Sequence, residues 1–514
     1  MTRSEAVAQS QAAEIITADA HIDQHELSLN ARRAATAIEA LGIQEGDVVA
    51  MLLRNDIPFI EAGLATQYCG VYAVPINWHS APDEILYVLK DCGARLLIAH
   101  ADLYRTIEKI VPAHCKVIVV PTPASIRDAF GLTQAQCDVP DGMPEWLPWL
   151  SEFEPWSKPD KPVHGSIIYT SGTTGKPKGV KRDPMTPEIR RRNFELFKQT
   201  YGIATDVRAL IVTPLYHAAP NAFARYVATT AELVVLTPRF DAEEFLALVE
   251  KYRINTVTAV PTIFVKLLKL PEEVRNKYDI SSLRWISHTA AACPVEVKRG
   301  IIEWMGPILH ELYGGTEVGI GMHCDSHDWL KRPGTVGKSI AGSTIRIYNE
   351  DGTEAPVGVP GEIYVHSPAY SDFTYINMPE QRAEVERDGL ISIGDVGYLD
   401  DAGFLYISDR KRDMIIYGGT NIYPAEIESA LIQNEGVADC AVIGLPDPDF
   451  GETVAAFVKK APGADLSEED VRTFLGGRIA KYKIPHTIKF VDSLPREESG
   501  KLMKRKLRDE YRPG

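Results

Sequence analysis

From about Leu29 onward the chain alternates short apolar runs with longer amphipathic stretches, and only layered helices and sheets can bury such a pattern. Residues 30–43 read as an amphipathic helix, 47–53 as a buried strand, 58–70 as a second helix and 71–77 as a second strand. Runs apolar on both faces belong in a mostly parallel sheet covered by helices, so the expected class is α/β. At 514 residues the chain exceeds one ordinary core, and two or more packed units are expected. Hydrophobic residues at 45% and charged residues at 24% supply a globular interior.

Breaks in the pattern mark the units. The Pro- and Trp-rich stretch 143–162 reads as a connector on the surface, because proline removes backbone donors. A second cycle of strands and helices runs from Ser166 to about Glu317. Residues 344–349 and 361–367 then alternate in the β manner, which predicts a small antiparallel or barrel-like subdomain. After Asp409–Asp413 the pattern restarts for about a hundred residues, enough for a separate α+β domain. The expected division is 1–411 and 412–514, with a hinge at Arg412.

The formal net charge of -15, without a long basic block, disfavours nucleic acid or anionic lipid as partners, so any anionic ligand must be held locally. The first twenty residues lack an apolar core behind a basic start, and no stretch approaches the length that spans a bilayer; a cytoplasmic protein is expected. Seven scattered cysteines without a C-x-x-C pair suggest neither disulfides nor zinc and read as small core residues.

The strongest local signal is Tyr169–Val180, directly after a strand-like run. Glycines at 172, 175 and 179 let the backbone approach phosphate, Thr170, Ser171, Thr173 and Thr174 offer hydroxyls, and Lys176 and Lys178 add positive charge. It is not a Walker A loop, since Pro177 stands where Ser or Thr is required. By composition alone, a Gly/Thr surface turn would serve as well. The segment Tyr-Thr-Ser-Gly-Thr-Thr-Gly-Lys-Pro-Lys-Gly-Val resembles the signature loop of the adenylate-forming superfamily, which contains acyl-CoA synthetases, luciferases and peptide-synthetase adenylation domains.

That resemblance extends from about Leu29 to Lys501, with further motifs in family order. Glu311–Glu317 is similar to the Y-G-x-T-E segment, which implies Tyr313 beside adenine, Gly314 among the nucleotide-binding residues, Thr316 at phosphate and Glu317 on Mg²⁺. Gly394–Tyr398 is similar to T-G-D-x-G, with Ile393 in place of Thr, and implies that Asp395 accepts the ribose hydroxyls. Arg410 matches a ribose-contacting arginine, and Arg412 stands where the family hinge is usually Asp or Lys. Tyr417–Pro424 resembles the pantetheine-lining loop, with Gly418 and Gly419 allowing close approach. Pro495–Lys501 resembles the element whose lysine, here Lys501, stabilises the charge that builds during acid activation.

For the acid site, Pro214–Pro220 resembles the gate segment, implicating Tyr216 and His217, and Ile286–Pro294 resembles the pocket floor, implicating Ala290 and Ala291 beside Gly315. His217 also reads as an ordinary core histidine. No acidic residue follows in 220–230, which disfavours an amino acid; Arg225 either pairs with a second substrate carboxylate or faces solvent. The resemblance thus implies an ATP-, Mg²⁺- and CoA-dependent ligase for a hydrophobic monocarboxylic acid (fatty, aryl-propenoic or polycyclic), a small-molecule enzyme with homodimerisation left open. Loading of a carrier-protein arm, or luciferase-like oxygenation, would share the first step.

Overall fold

The computed structural model of the chain describes residues 14–159, 161–170, 177–418, 420–496 and 502–511. Its first layer is a parallel sheet ordered Tyr72–Pro75, Val48–Leu52, Leu96–His100, Lys116–Val120. Val48–Leu52 is buried along its whole length, as a strand covered on both faces must be. The helices Gln24–Ala40 and Ile57–Cys69 pack against each other through small residues such as Ala31, Ala34 and Ala65. The first begins earlier than its apolar periodicity because the Asp23 carboxylate caps it, accepting from the Glu26 amide.

The Pro- and Trp-rich stretch is exposed over much of its length, as a connector packed on the surface should be, but it is also anchored in the core. It forms the helix Trp146–Ser151, and Trp146 is fully buried, donating through Nε1 to the Glu61 carboxylate at 2.6 Å. A tertiary partner that local proline content cannot announce decides its place.

The second layer is parallel through Leu233–Leu236, Arg208–Ile211, Thr256–Ala259, Trp285–His288 and Leu309–Gly315. It does not stop there. Gly319–Asp325 turns back on Leu309–Gly315, and Thr335–Ser339, Leu405–Arg410, Leu390–Leu399, Gly361–His366 and Thr344–Tyr348 continue the same sheet antiparallel. The antiparallel subdomain expected around 344–367 is present; it does not close as a barrel but continues the main sheet, joined through the ladder between Thr335–Ser339 and Leu405–Arg410.

A small antiparallel sheet sets the hairpin Ile168–Thr170 and Lys178–Arg182 beside Phe373–Tyr375. Beyond Arg412 the chain builds another sheet from Ile415–Tyr417, Thr420–Ile422, Val437–Asp447, Gly451–Lys460 and Thr487–Phe490. Ile427, Leu431, Val442, Val454, Val471 and Ile488 give it a hydrophobic cluster of its own. The whole is mixed α/β, with a large N-terminal body and a smaller C-terminal unit. Six of the cysteines are buried, Cys293 is half-buried, and all are free thiols. No helix among the described residues is long and apolar enough to cross a membrane.

The Trp146 anchor carries a pH signature. Glu61 is 1% exposed, and burial raises its pKa from 4.5 to about 7 against the hydrogen bonds from Trp146 and Asn30. The folded state holds this proton after the unfolded chain has released it, so stability falls as pH rises from about 4.5 to about 7 and is level above, a change on the order of 3 kcal/mol. Glu61→Gln removes that fall: the gap between wild-type and variant thermal midpoints changes across pH 5 to 7.5, whereas parallel profiles contradict the assignment.

Candidate active site

The strands on either side of the glycine-rich segment pair as a hairpin. Ile168, Tyr169 and Thr170 pair with Val180, Gly179 and Lys178, so residues 171–177 form the connection between the two strands. The Tyr169 hydroxyl donates to Asp91 at 2.7 Å and the Tyr87 hydroxyl to the Pro177 carbonyl at 3.1 Å, fastening the hairpin to the first layer. Gly179 is required here, because a Cβ would lie 2.8 Å from the Tyr169 ring. Ser171, Gly172, Thr173, Thr174, Gly175, Lys176, Gly419 and Lys501 lie outside the described residues.

Opposite the base of that loop stands the turn after Leu309–Gly315. The Arg182 guanidinium donates to the carbonyls of Thr316 at 2.9 Å, Glu317 at 2.7 Å and Ser371 at 2.6 Å, pinning the turn to the hairpin strand. The Glu317 carboxylate accepts the Tyr375 hydroxyl at 3.1 Å, and the Lys178 ammonium lies 5.0 Å from the centre of the Tyr375 ring. Lys178, Tyr375, Thr316 and Glu317 thus form one edge of the site. Gly314 is forced by contact: a Cβ there would sit 1.8 Å from the Gly319 carbonyl oxygen. Gly315 faces Ile393 and the Glu317 carboxylate, with the Ile393 side chain 3.0 Å from where a Cβ would be.

Asp395 gathers the other edge. It is 4% exposed, accepts the Tyr313 hydroxyl at 2.9 Å and pairs with Arg410 Nε at 2.7 Å. The ladder that sets Asp395 opposite Arg410 in adjacent strands fixes this geometry. Burial and the neighbouring Asp395 charge push the Tyr313 hydroxyl well above the usual tyrosine range, so it remains a donor.

The residues expected at the acid gate and pocket floor follow the carboxyl ends of two parallel strands of the main sheet, where open α/β sheets bind ligands. Tyr216 and His217 follow Arg208–Ile211, and Ala290 and Ala291 follow Trp285–His288, with Thr256–Ala259 between the two strands. Tyr216 is buried, packing on His217 at 4.4 Å and edge-on to Trp78 at 6.0 Å between ring centres. Ala290 holds a left-handed backbone at φ 76°, uncommon for a residue with a Cβ. Arg225 does not face solvent as an open side chain: it is half-buried, and its Nε is sealed without a partner among the described residues. Gly418, also left-handed at φ 53°, donates its amide to the Phe450 carbonyl in the C-terminal unit.

Three contributors were not singled out from sequence. Arg182 and Tyr375 brace the edge that carries Lys178, Thr316 and Glu317, and the Asn55 side-chain amide holds the segment before Tyr216, donating to the Thr213 and Thr237 carbonyls and accepting from the Leu215 amide. The period-two spacing of Lys178, Val180 and Arg182 could have put Arg182 on the loop's face; Asn55, 158 residues from Thr213, left no local signal.

The description "AMP-binding enzyme" fits residues 3–372, and "AMP-binding enzyme C-terminal domain" fits 426–501. Long-chain-fatty-acid–CoA ligase FadD13 of Mycobacterium tuberculosis is 31% identical over 498 residues, covering 96% of this chain and 94% of its own. Feruloyl-CoA synthase of an Amycolatopsis species is 32% identical over 489 residues, covering 95% and 93%. The crystal structure of ATP-bound MatB from Rhodopseudomonas palustris superposes with a TM-score of 0.85 at 29% identity, covering 98% of this chain and 97% of that one.

Proposed function

The chain belongs to the AMP-binding, adenylate-forming enzymes and is an acyl-CoA synthetase among them; we propose that its acid is a hydrophobic monocarboxylate, fatty, aryl-propenoic or polycyclic. In this reading the carboxylate and ATP give an acyl-adenylate and pyrophosphate, and CoA then displaces AMP. The observation that carries it is the convergence of Tyr313, Asp395 and Arg410 on one edge and Lys178, Thr316 and Glu317 on the other.

Each residue then has a task its chemistry suits. Asp395 accepts the ribose hydroxyls beside Arg410, and Tyr313 and Gly314 flank the adenine. Thr170, Lys178 and the loop residues 171–176 hold phosphate, while Arg182 keeps the Thr316–Glu317 turn in place. Glu317 fits Mg²⁺: it offers one half-buried hard-oxygen ligand already oriented by Tyr375, and Mg²⁺ takes its remaining ligands from phosphates and water. When bound, the ion offsets charge on the phosphates.

Tyr216, His217, Ala290, Ala291 and Gly315 line the acid end. The absence of an acidic side chain in Ala218–Thr230 favours an acid without an α-amino group. We divide the chain at 411/412, so that the smaller unit swings about Arg412, bringing Lys501 for adenylation and the Gly418–Gly419 loop for CoA.

Purified protein with ATP, Mg²⁺ and a panel of fatty, aryl-propenoic and polycyclic acids tests this by pyrophosphate release with and without CoA. CoA-dependent turnover of a panel member is expected; pyrophosphate release that yields no CoA thioester transfers the reading to carrier loading. In the same assay Lys501→Ala lowers adenylation by about 10² to 10³, while a supplied acyl-adenylate is still passed to CoA. Equal loss in both halves removes Lys501 from the role.

A further inference from the structure

The helix Pro424–Leu431 is the first helix of the C-terminal unit, and its N-cap residue, Tyr423, provides no side-chain cap. The missing acceptor comes from the other side of Arg412. Asp409, next to last in Leu405–Arg410, accepts the Ala425 amide on Oδ2 at 2.8 Å and the Arg410 amide on Oδ1 at 2.7 Å. It is 8% exposed, and the Lys504 ammonium of the last helix faces it.

The surrounding ion pairs sort by body. Lys504 pairs with Glu428 at 2.8 Å and Arg508 with Asp413 at 2.8 Å, all four residues following Arg412. Asp409 instead belongs to the main sheet, through the ladder that sets Val396 opposite it and Asp395 opposite Arg410. A rotation about the Arg412 backbone would move Ala425 and Lys504 together and leave Asp409 behind.

We infer that Asp409 is a positioning residue for the reaction: it caps the small unit's first helix from across the hinge and holds the arrangement seen here against the alternative one. This rests on the two-arrangement reading above. A helix that must give up its cap to rotate makes the present arrangement the more populated, and loss of the cap shifts the balance toward the other. A capping contact of ordinary strength, about 1 kcal/mol, corresponds to a shift of about fivefold.

The test compares Asp409→Ala and Asp409→Asn with Asp470→Ala, which removes a cap wholly inside the C-terminal unit, where Asp470 accepts the Ser467 amide. Both half-reactions are measured with the panel acid that turns over fastest: acid-dependent ATP–pyrophosphate exchange, and transfer of its synthetic adenylate to CoA. Asp409→Ala is expected to move the two rates in opposite directions, changing their ratio about fivefold, with Asp409→Asn between it and wild type and Asp470→Ala at the wild-type ratio. Trypsin, which has targets at Arg410, Lys411 and Arg412, is expected to cut there about fivefold faster in Asp409→Ala. An unchanged ratio, or equal loss in both halves, overturns the inference. Faster cutting with no acid activated by any variant or by wild type leaves the cap standing and instead refutes the proposed reaction.

Discussion

One buried carboxylate ties the site together. Asp395 receives the Tyr313 hydroxyl from the parallel part of the main sheet and the Arg410 guanidinium from its antiparallel extension. A buried carboxylate without donors is costly, and one with two is a strong link in a low-dielectric setting. The segment carrying Thr316 and Glu317 is thereby registered against the strand that runs into Arg412. In the proposed function, the ribose contacts and the hinge share this anchor.

The electrostatics follow the same economy of place. The chain is strongly acidic overall, yet strand pairing sets Lys178 and Arg182 beside Phe373–Tyr375 and Arg410 beside Asp395, without a basic surface. Anion binding therefore depends on the directions of a few donors and not on a long-range field. Arg182 has its guanidinium committed to three carbonyls, which makes it a structural brace for the turn that presents Glu317.

Much of this was legible in the sequence because the chemistry is carried by short motifs. The hairpin around Tyr169–Val180, the glycines before Thr316 and the Asp395–Arg410 pair all fall where the motif order predicts a site. What escaped was long-range. Nothing near Trp146 announces that Glu61 will take it into the core, and while the alternation at 344–367 does announce antiparallel strands, nothing there says which sheet they will join. Arg182, Tyr375 and Asn55 act on partners more than 55 residues away, beyond the reach of local pattern. Asp409 escaped for another reason: in a run of charges it reads as solvated, and only the Ala425 amide across the hinge gives the carboxylate a task.

The most direct measurement is a crystal structure of the protein with a non-hydrolysable acyl-adenylate analogue. The account predicts ribose hydroxyls on the Asp395 carboxylate beside Arg410, adenine along Tyr313, and the phosphate-mimicking group between Lys178 and Thr316. An analogue bound elsewhere, with Asp395 still closed on Tyr313 and Arg410 and the Thr170–Lys178 connection empty, contradicts it.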